Sequence, residues 1–191
     1  MRFLVLLALV LAIGVVVGTG TAWLAVSGDR VVGPISVGSW TAWPNTTSAD
    51  ADPYTLAHLA RSGELSLGPG EGVAFTATTD DTGGSLTSGC VYVVEGSTPS
   101  ARLWTLTAHR QDGRLMENRA ERYGFQSDEL LREPDGDFAI TLSRDVAPGN
   151  WLPVGDVAAY ALTLRLYDTP LATGARIAEV EMPRIRRVGC R

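Results

Sequence analysis

Arg165 and Tyr167 stand two residues apart in the run YALTLRLYD, where leucines alternate with other side chains. Alternation of this kind puts Leu162, Leu164 and Leu166 on one face of a strand and Ala161, Thr163, Arg165 and Tyr167 on the other. A mid-strand arginine needs a partner, because charged side chains are rarely buried unpaired. Its planar guanidinium matches a carboxylate or phosphate through parallel hydrogen bonds. Together with Tyr167, and with Asn150 and Trp151 of the GNWLP turn, Arg165 forms a candidate site for an anionic ligand. The plainer alternative gives Arg165 an internal Asp or Glu partner, or a wet sheet face, and leaves Asn150 to brace its turn.

His109 is the second candidate, since an imidazole titrates near neutrality and can act as a general base. No Asp or Ser at a telling spacing completes a catalytic set with it, which favours a structural or surface role. Asn118 and Tyr123 read as groups that brace a loop, an Asn side chain being suited to satisfying backbone donors. The acidic pairs Asp80 and Asp81, Glu117 and Glu121, and Asp128 and Glu129 lie on polar segments and read as solvated loops. Calcium at Asp80-Asp81 lacks the spaced oxygen pattern of a recognised loop. The chain carries no GxSxG, HExxH, CxxC or phosphate-cradling loop. Its 2 cysteines and 2 histidines have no zinc-site spacing. No metal or cofactor is therefore expected, and the sequence assigns no catalytic residue.

These side chains need elements to position them, and the chain divides into three parts. Phe3 to Val26 holds no charged side chain. At helical rise it reaches about 36 Å, beyond the roughly 30 Å hydrocarbon core. Residues 1–27 are expected to be a transmembrane signal anchor in contact with the membrane from Phe3 to Val26. Cleavage near Gly20-Thr21-Ala22, giving a secreted protein, is the alternative. Arg2 is the only side-chain charge before the span, and Asp29 and Arg30 cancel after it, which orients the remaining chain outward. Residues 28–52, rich in Gly, Pro and polar side chains, read as a linker that becomes structured. In it, Trp40 and Trp43 either meet the membrane interface or cap the core; the Asn45-Thr46-Thr47 sequon carries little weight. Residues 53–191 read as one exported domain.

That domain opens on Asp52-Pro53, an N-cap followed by Pro at the first helical position, with Tyr54, Leu56, Leu59 and Ala60 as the apolar face, His58 nearby, and Gly63 as the stop. Strand-like runs follow at Val73–Thr79, Cys90–Glu95, Arg102–His109, Phe138–Ser143 and Tyr160–Asp168, with a last one at Ile177–Met182. In Arg102–His109, Trp104, Leu106 and Ala108 share one face. Met116–Tyr123 reads as one helical turn or an ordered loop. Short strands with turn signals and few helices indicate an antiparallel sandwich or barrel.

Composition narrows the function. All 16 basic residues are Arg, a GC-rich bacterial coding bias, and the net charge is −5. Apart from Arg184, Arg186 and Arg187 there is no basic stripe, so nucleic acid is not expected as a partner. In an exported domain Cys90 and Cys190 read as a disulfide tying the C-terminal tail to a strand; two free buried thiols are the alternative.

The marks WTLTAHRQDGRL, Asn118, Tyr123, DGDFAITLS, GNWLP and LRLYDTP, in that order, resemble the C-terminal domain family known as domain of unknown function 1214. The resemblance implies a mainly β, antiparallel, jelly-roll-like β-sandwich, here preceded by one N-terminal transmembrane helix. It also implies that longer, two-domain 1254/1214-type relatives carry a second β-rich domain before this one, so a site between those domains is not carried over. It implies no activity. The reading is a single-pass inner-membrane protein of a bacterial envelope whose periplasmic sandwich is a binding or interaction module with an envelope protein as partner. The alternative is an enzyme or small-ligand binder acting on an anionic or glycan-like envelope molecule.

Overall fold

The structure is a computed structural model that describes residues 2–27, 34–43, 51–62, 67–68, 70–173 and 177–191. The glycosylation sequon and Gly63 lie outside the described residues.

Helix α1, Arg2–Ser27, has the length and apolarity of a membrane anchor or a signal sequence. Its 26 residues correspond to about 39 Å, and its side chains from Phe3 to Ala25 are exposed. Helix α2, Pro53–Ser62, starts as expected: the Asp52 carboxylate accepts hydrogen bonds from the Tyr54 and Thr55 amides and from the Thr55 hydroxyl. The Thr55 hydroxyl first, with these amides, holds the Asp52 carboxyl below the usual carboxylate range. The expected apolar face is a correction. Thr55 is the buried side chain, and Tyr54 and Leu56 are exposed.

The rest is a two-sheet sandwich. The larger sheet has the order β1-β2-β3-β9-β5-β6, and the smaller has β10-β4-β7-β8. In chain order these are β1 Ile35–Val37, β2 Trp40–Ala42, β3 Gly72–Ala77, β4 Cys90–Gly96, β5 Leu103–Arg110, β6 Gly124–Gln126, β7 Phe138–Ser143, β8 Asn150–Pro153, β9 Tyr160–Tyr167 and β10 Arg184–Cys190. The inner faces share one core. Phe75, Trp104, Leu106, Leu162, Leu164 and Leu166 of the larger sheet meet Tyr92, Val94, Ile140, Leu142, Leu152 and Ile185 of the smaller. Trp104 packs on Phe138 with ring centroids 5.0 Å apart, and Tyr92 meets Tyr160 edge-on at 6.2 Å. The Tyr160 hydroxyl has no hydrogen-bond partner among the described residues; burial, then Tyr92, raises its pKa and keeps it neutral.

Every pairing is antiparallel except β7 with β8. The GNWLP segment, read as a turn, is therefore a parallel edge strand. Parallel neighbours ordinarily need a crossover of about a dozen residues; here 144–149 make the return. Ser143 fastens it: its hydroxyl donates to the Asp145 carbonyl at 2.6 Å, while the Trp151 indole N–H is shared by the Ser143 carbonyl and hydroxyl. Gly149, at φ 76, supplies the left-handed residue that lets the chain re-enter the sheet.

Two boundaries move. The stretch read as linker contains β1 and β2, and Trp40 is 1% exposed with its indole N–H donating to the Pro183 carbonyl at 2.7 Å. The sandwich thus includes residues before 53. The last strand is not Ile177–Met182, where Ile177–Glu179 form a 3-10 turn and Ile177 fills the core without pairing. It is the arginine-rich β10, held to β4 by main-chain pairing, by the Cys90–Cys190 disulfide and by a two-pronged Arg186–Glu95 pair with both contacts at 2.9 Å.

Asp80 and Asp81 are structural. Asp81 accepts from the Ser39 hydroxyl and the Ile185 amide, joining the β1–β2 turn to β10. Asp80 accepts from Thr82 and Gly84 and faces Arg187 at 3.4 Å. Burial opposes its ionisation, but those hydrogen bonds and the Arg187 charge outweigh it and hold the carboxyl below its usual range. A carboxyl lowered on folding stabilises the fold above its unfolded value, about 3.9, and loses that contribution as pH falls through the folded one. Stability is therefore expected to drop as pH falls below about 4. Acid unfolding followed by circular dichroism should show a shallower drop in Asp80→Asn.

Candidate functional site

Strand β9 is central in the larger sheet, flanked by β3 and β5. Its leucines fill the core, so Thr163, Arg165 and Tyr167 face outward, as the alternation requires. On β5, the same rule turns Thr105, Thr107 and His109 outward. Register sets Arg165 beside Thr105, and Thr105 beside Gln126 of β6. Guanidinium, hydroxyl and amide thus form a row across three strands.

Past this row the chain rises into a wall. Residues 116–123 are an ordered loop, not a helical turn. Asn118 braces it: its amide nitrogen donates to the carbonyls of Met116 and Arg122, and its oxygen accepts from the Arg122 amide. Glu121 sits in the left-handed region at φ 50, a conformation that a non-glycine residue adopts only where its surroundings impose it. Gly124 brings the wall down onto the sheet, since a Cβ there would stand 2.5 Å from the Leu106 carbonyl oxygen. The result is an open cleft of 860 Å³, lined by Thr105, Thr107, the loop from Ala120 to Gln126, Glu129, Arg165 and Tyr167.

The cleft's charges are held apart. The ion pairs among the described residues join Arg102 to Asp168, Arg110 to Asp112, Arg144 to Asp156, Arg186 to Glu95, Arg187 to Asp80 and Arg191 to Asp145. Arg122, Arg165, Glu121 and Glu129 take part in none of them. Arg122 lies over the Phe125 ring, 4.7 Å from its centroid, and Glu129 accepts from the Gln126 amide at 3.2 Å. Arg165, half-buried, has no hydrogen-bond or ion-pair partner among the described residues, so it has none of the internal carboxylates that the plainer reading supplied. An unpaired guanidinium amid hydroxyls and an amide is suited to an anion, a carboxylate above all.

Of the ligand candidates named from the sequence, Arg165 and Tyr167 meet in this cleft; Tyr123, Glu121 and Glu129, which the sequence presents as loop residues, also line it. His109 shares the sheet face but does not line it. Its Nδ1 lies 2.8 Å from the Arg110 carbonyl, which only accepts, so Nδ1 carries the proton and Nε2 accepts from the Thr163 hydroxyl at 2.7 Å. The lone pair a general base would use is occupied. Asn150 and Trp151 belong to β8 in the other sheet. Asn150 is buried and fully engaged, accepting from the Leu131 amide and donating to the Leu131 and Ala139 carbonyls. Asn150, Trp151 and His109 thus do not join Arg165 and Tyr167 in this cleft. Sequence reasoning missed Thr105, Gln126, Arg122 and Glu129 as site members: β6 has three residues and no readable period, and register across strands is invisible in a single chain. Among the described residues no cluster of His, Cys, Asp and Glu is arranged to hold a metal ion.

No curated protein matches the chain. Among solved structures it is similar to the VPA0106 protein from Vibrio parahaemolyticus, with 22% identity and a TM-score of 0.60 over 76% of this chain and 37% of that one. It is also similar to an uncharacterised protein from Burkholderia cenocepacia, with 19% identity and a TM-score of 0.44 over 63% of this chain and 30% of that one. The first likeness supports the fold alone, and this chain spans well under half of either protein. A family model described as "Protein of unknown function (DUF1214)" matches residues 71–171, the stretch from β3 to β9 that builds the cleft. That match covers more than half of the chain, which belongs to the DUF1214 family.

Proposed function

We propose that the protein is a membrane-tethered binding domain, its sandwich on the outer side of the bacterial inner membrane, and that it takes a small anionic molecule in the cleft over β5, β6 and β9. One observation carries the ligand class: the Arg165 guanidinium lines the cleft without a carboxylate partner among the described residues. The location draws on the apolar α1, on the single charge of Arg2 before it, and on the disulfide, which suits an oxidising compartment. Binding without chemistry is favoured over an enzyme because the lining holds no His, Cys or Ser, and the one histidine on this face has its lone pair engaged.

Calorimetry on the full chain in detergent tests the reading, with glutarate as an anion that carries no positive charge. Wild type should bind it with Kd of about 1 mM or tighter. Arg165→Lys keeps the charge but loses the fork that grips two oxygens, and should weaken binding about tenfold. Equal affinity in the two proteins would remove Arg165 from recognition.

A further inference from the structure

The cleft is not simply positive. Two arginines, Arg122 and Arg165, are matched by two glutamates, Glu121 and Glu129, and none of the four is spent on another. A polyanion would meet the glutamates as like charges. The charges are also ordered along the sheet. Arg165 is on β9, at one end of the row that runs through Thr105 to Gln126 on β6. At the far end Glu129 is fixed by one oxygen, Oε2, to the Gln126 amide, which leaves Oε1 for another donor. Neighbouring strands lie about 4.8 Å apart, so the main chain of Arg165 and that of Gln126, which holds Glu129, are separated by about 10 Å. Three residues of extended chain span about the same distance.

We infer that the cleft takes a zwitterion of tripeptide length, its carboxylate on Arg165, its ammonium on Glu129, and its body across Thr105. This rests on the anion-binding reading and adds the second charge and the spacing. Recognition of both ends gives Arg165 and Glu129 the opposite charges that neither finds in an ion pair among the described residues.

The test is calorimetry on the full chain with trialanine, N-acetyl-trialanine, trialanine amide and glutarate. Trialanine should bind about tenfold or more tightly than either capped form. Glu129→Gln should erase the preference over the acetylated peptide and keep the preference over the amide; Arg165→Gln should do the reverse. Glu129 is exposed in the turn after β6 and Arg165 is half-buried on the outer face of β9, and an unchanged far-ultraviolet spectrum certifies each variant. If the acetylated peptide binds as well as the free one, or if glutarate binds and no tripeptide does, the zwitterion inference fails while the anion reading stands. If neither glutarate nor any peptide binds, or the amide binds as tightly as the free acid, both fail.

Discussion

Replacing Trp40 with alanine is expected to destabilise the sandwich by about 3–5 kcal/mol, the usual range for truncating a buried tryptophan. Trp40 comes from a stretch whose composition reads as linker, yet it is among the largest fully buried side chains. Its ring enters the core from β2 while its N–H holds the Pro183 carbonyl just ahead of β10, so one side chain joins the edge region of the larger sheet to the smaller sheet. Truncation opens a cavity and also leaves that carbonyl without its donor. For a domain of this size the loss corresponds to a fall in Tm of about 10 °C or more. Thermal unfolding of the full chain in detergent would measure it. A cost below about 1 kcal/mol would mean that β1 and β2 are an appendage rather than part of the fold.

Removing the disulfide is the second large effect. Cys90 and Cys190 pair directly across β4 and β10 and close a loop with a sequence separation of 100. Chain-entropy reasoning gives about 4.7 kcal/mol for such a loop, and measured losses for native disulfides run about 2–5 kcal/mol. The loss should be local as well as global. On β10 only Ile185 is buried, and the Arg186–Glu95 pair is solvent-exposed, so it adds little to holding the strand. Asp81 and Trp40 secure the Pro183–Ile185 end, so fraying should start at Cys190 and stop near Ile185. Hydrogen exchange on a Cys90→Ser, Cys190→Ser protein should show lost protection over Arg187–Cys190 and in the facing β4 amides. Unchanged protection there would mean that main-chain pairing alone holds the edge.

The elements legible in the sequence were those that bury one face. In β5, β7 and β9 hydrophobic alternation gave the strand and the inward side chains together, and for β9 it also gave the outward Arg165 and Tyr167. Where burial does not write the pattern, the sequence does not show the element. β10 is an edge strand whose outward side chains are arginines, so its sequence looks like a charged tail; charge on an edge strand also blocks pairing with other chains. β8 runs parallel to its neighbour through an unusually short return, and GNWLP gives only its turn-forming residues. Ile177–Met182 is apolar enough for a strand, but Ile177 plugs the core from a 3-10 turn. The site divides along the same line. Arg165 and Tyr167 share a strand and were found together. Asn150 and Trp151 come from a separate segment, and the sandwich puts them in the other sheet, where Asn150 spends every polar atom on backbone.

The most direct test of the central claim is an NMR titration of the isotope-labelled full chain with glutarate, following backbone amides and arginine Nε–H groups. The anion-binding account predicts perturbations at Thr105, Thr107, Gln126 and the Arg165 side chain, with Asn150 and Trp151 silent. Perturbations centred on β8, or an Arg165 signal that does not move at saturating glutarate, would contradict it.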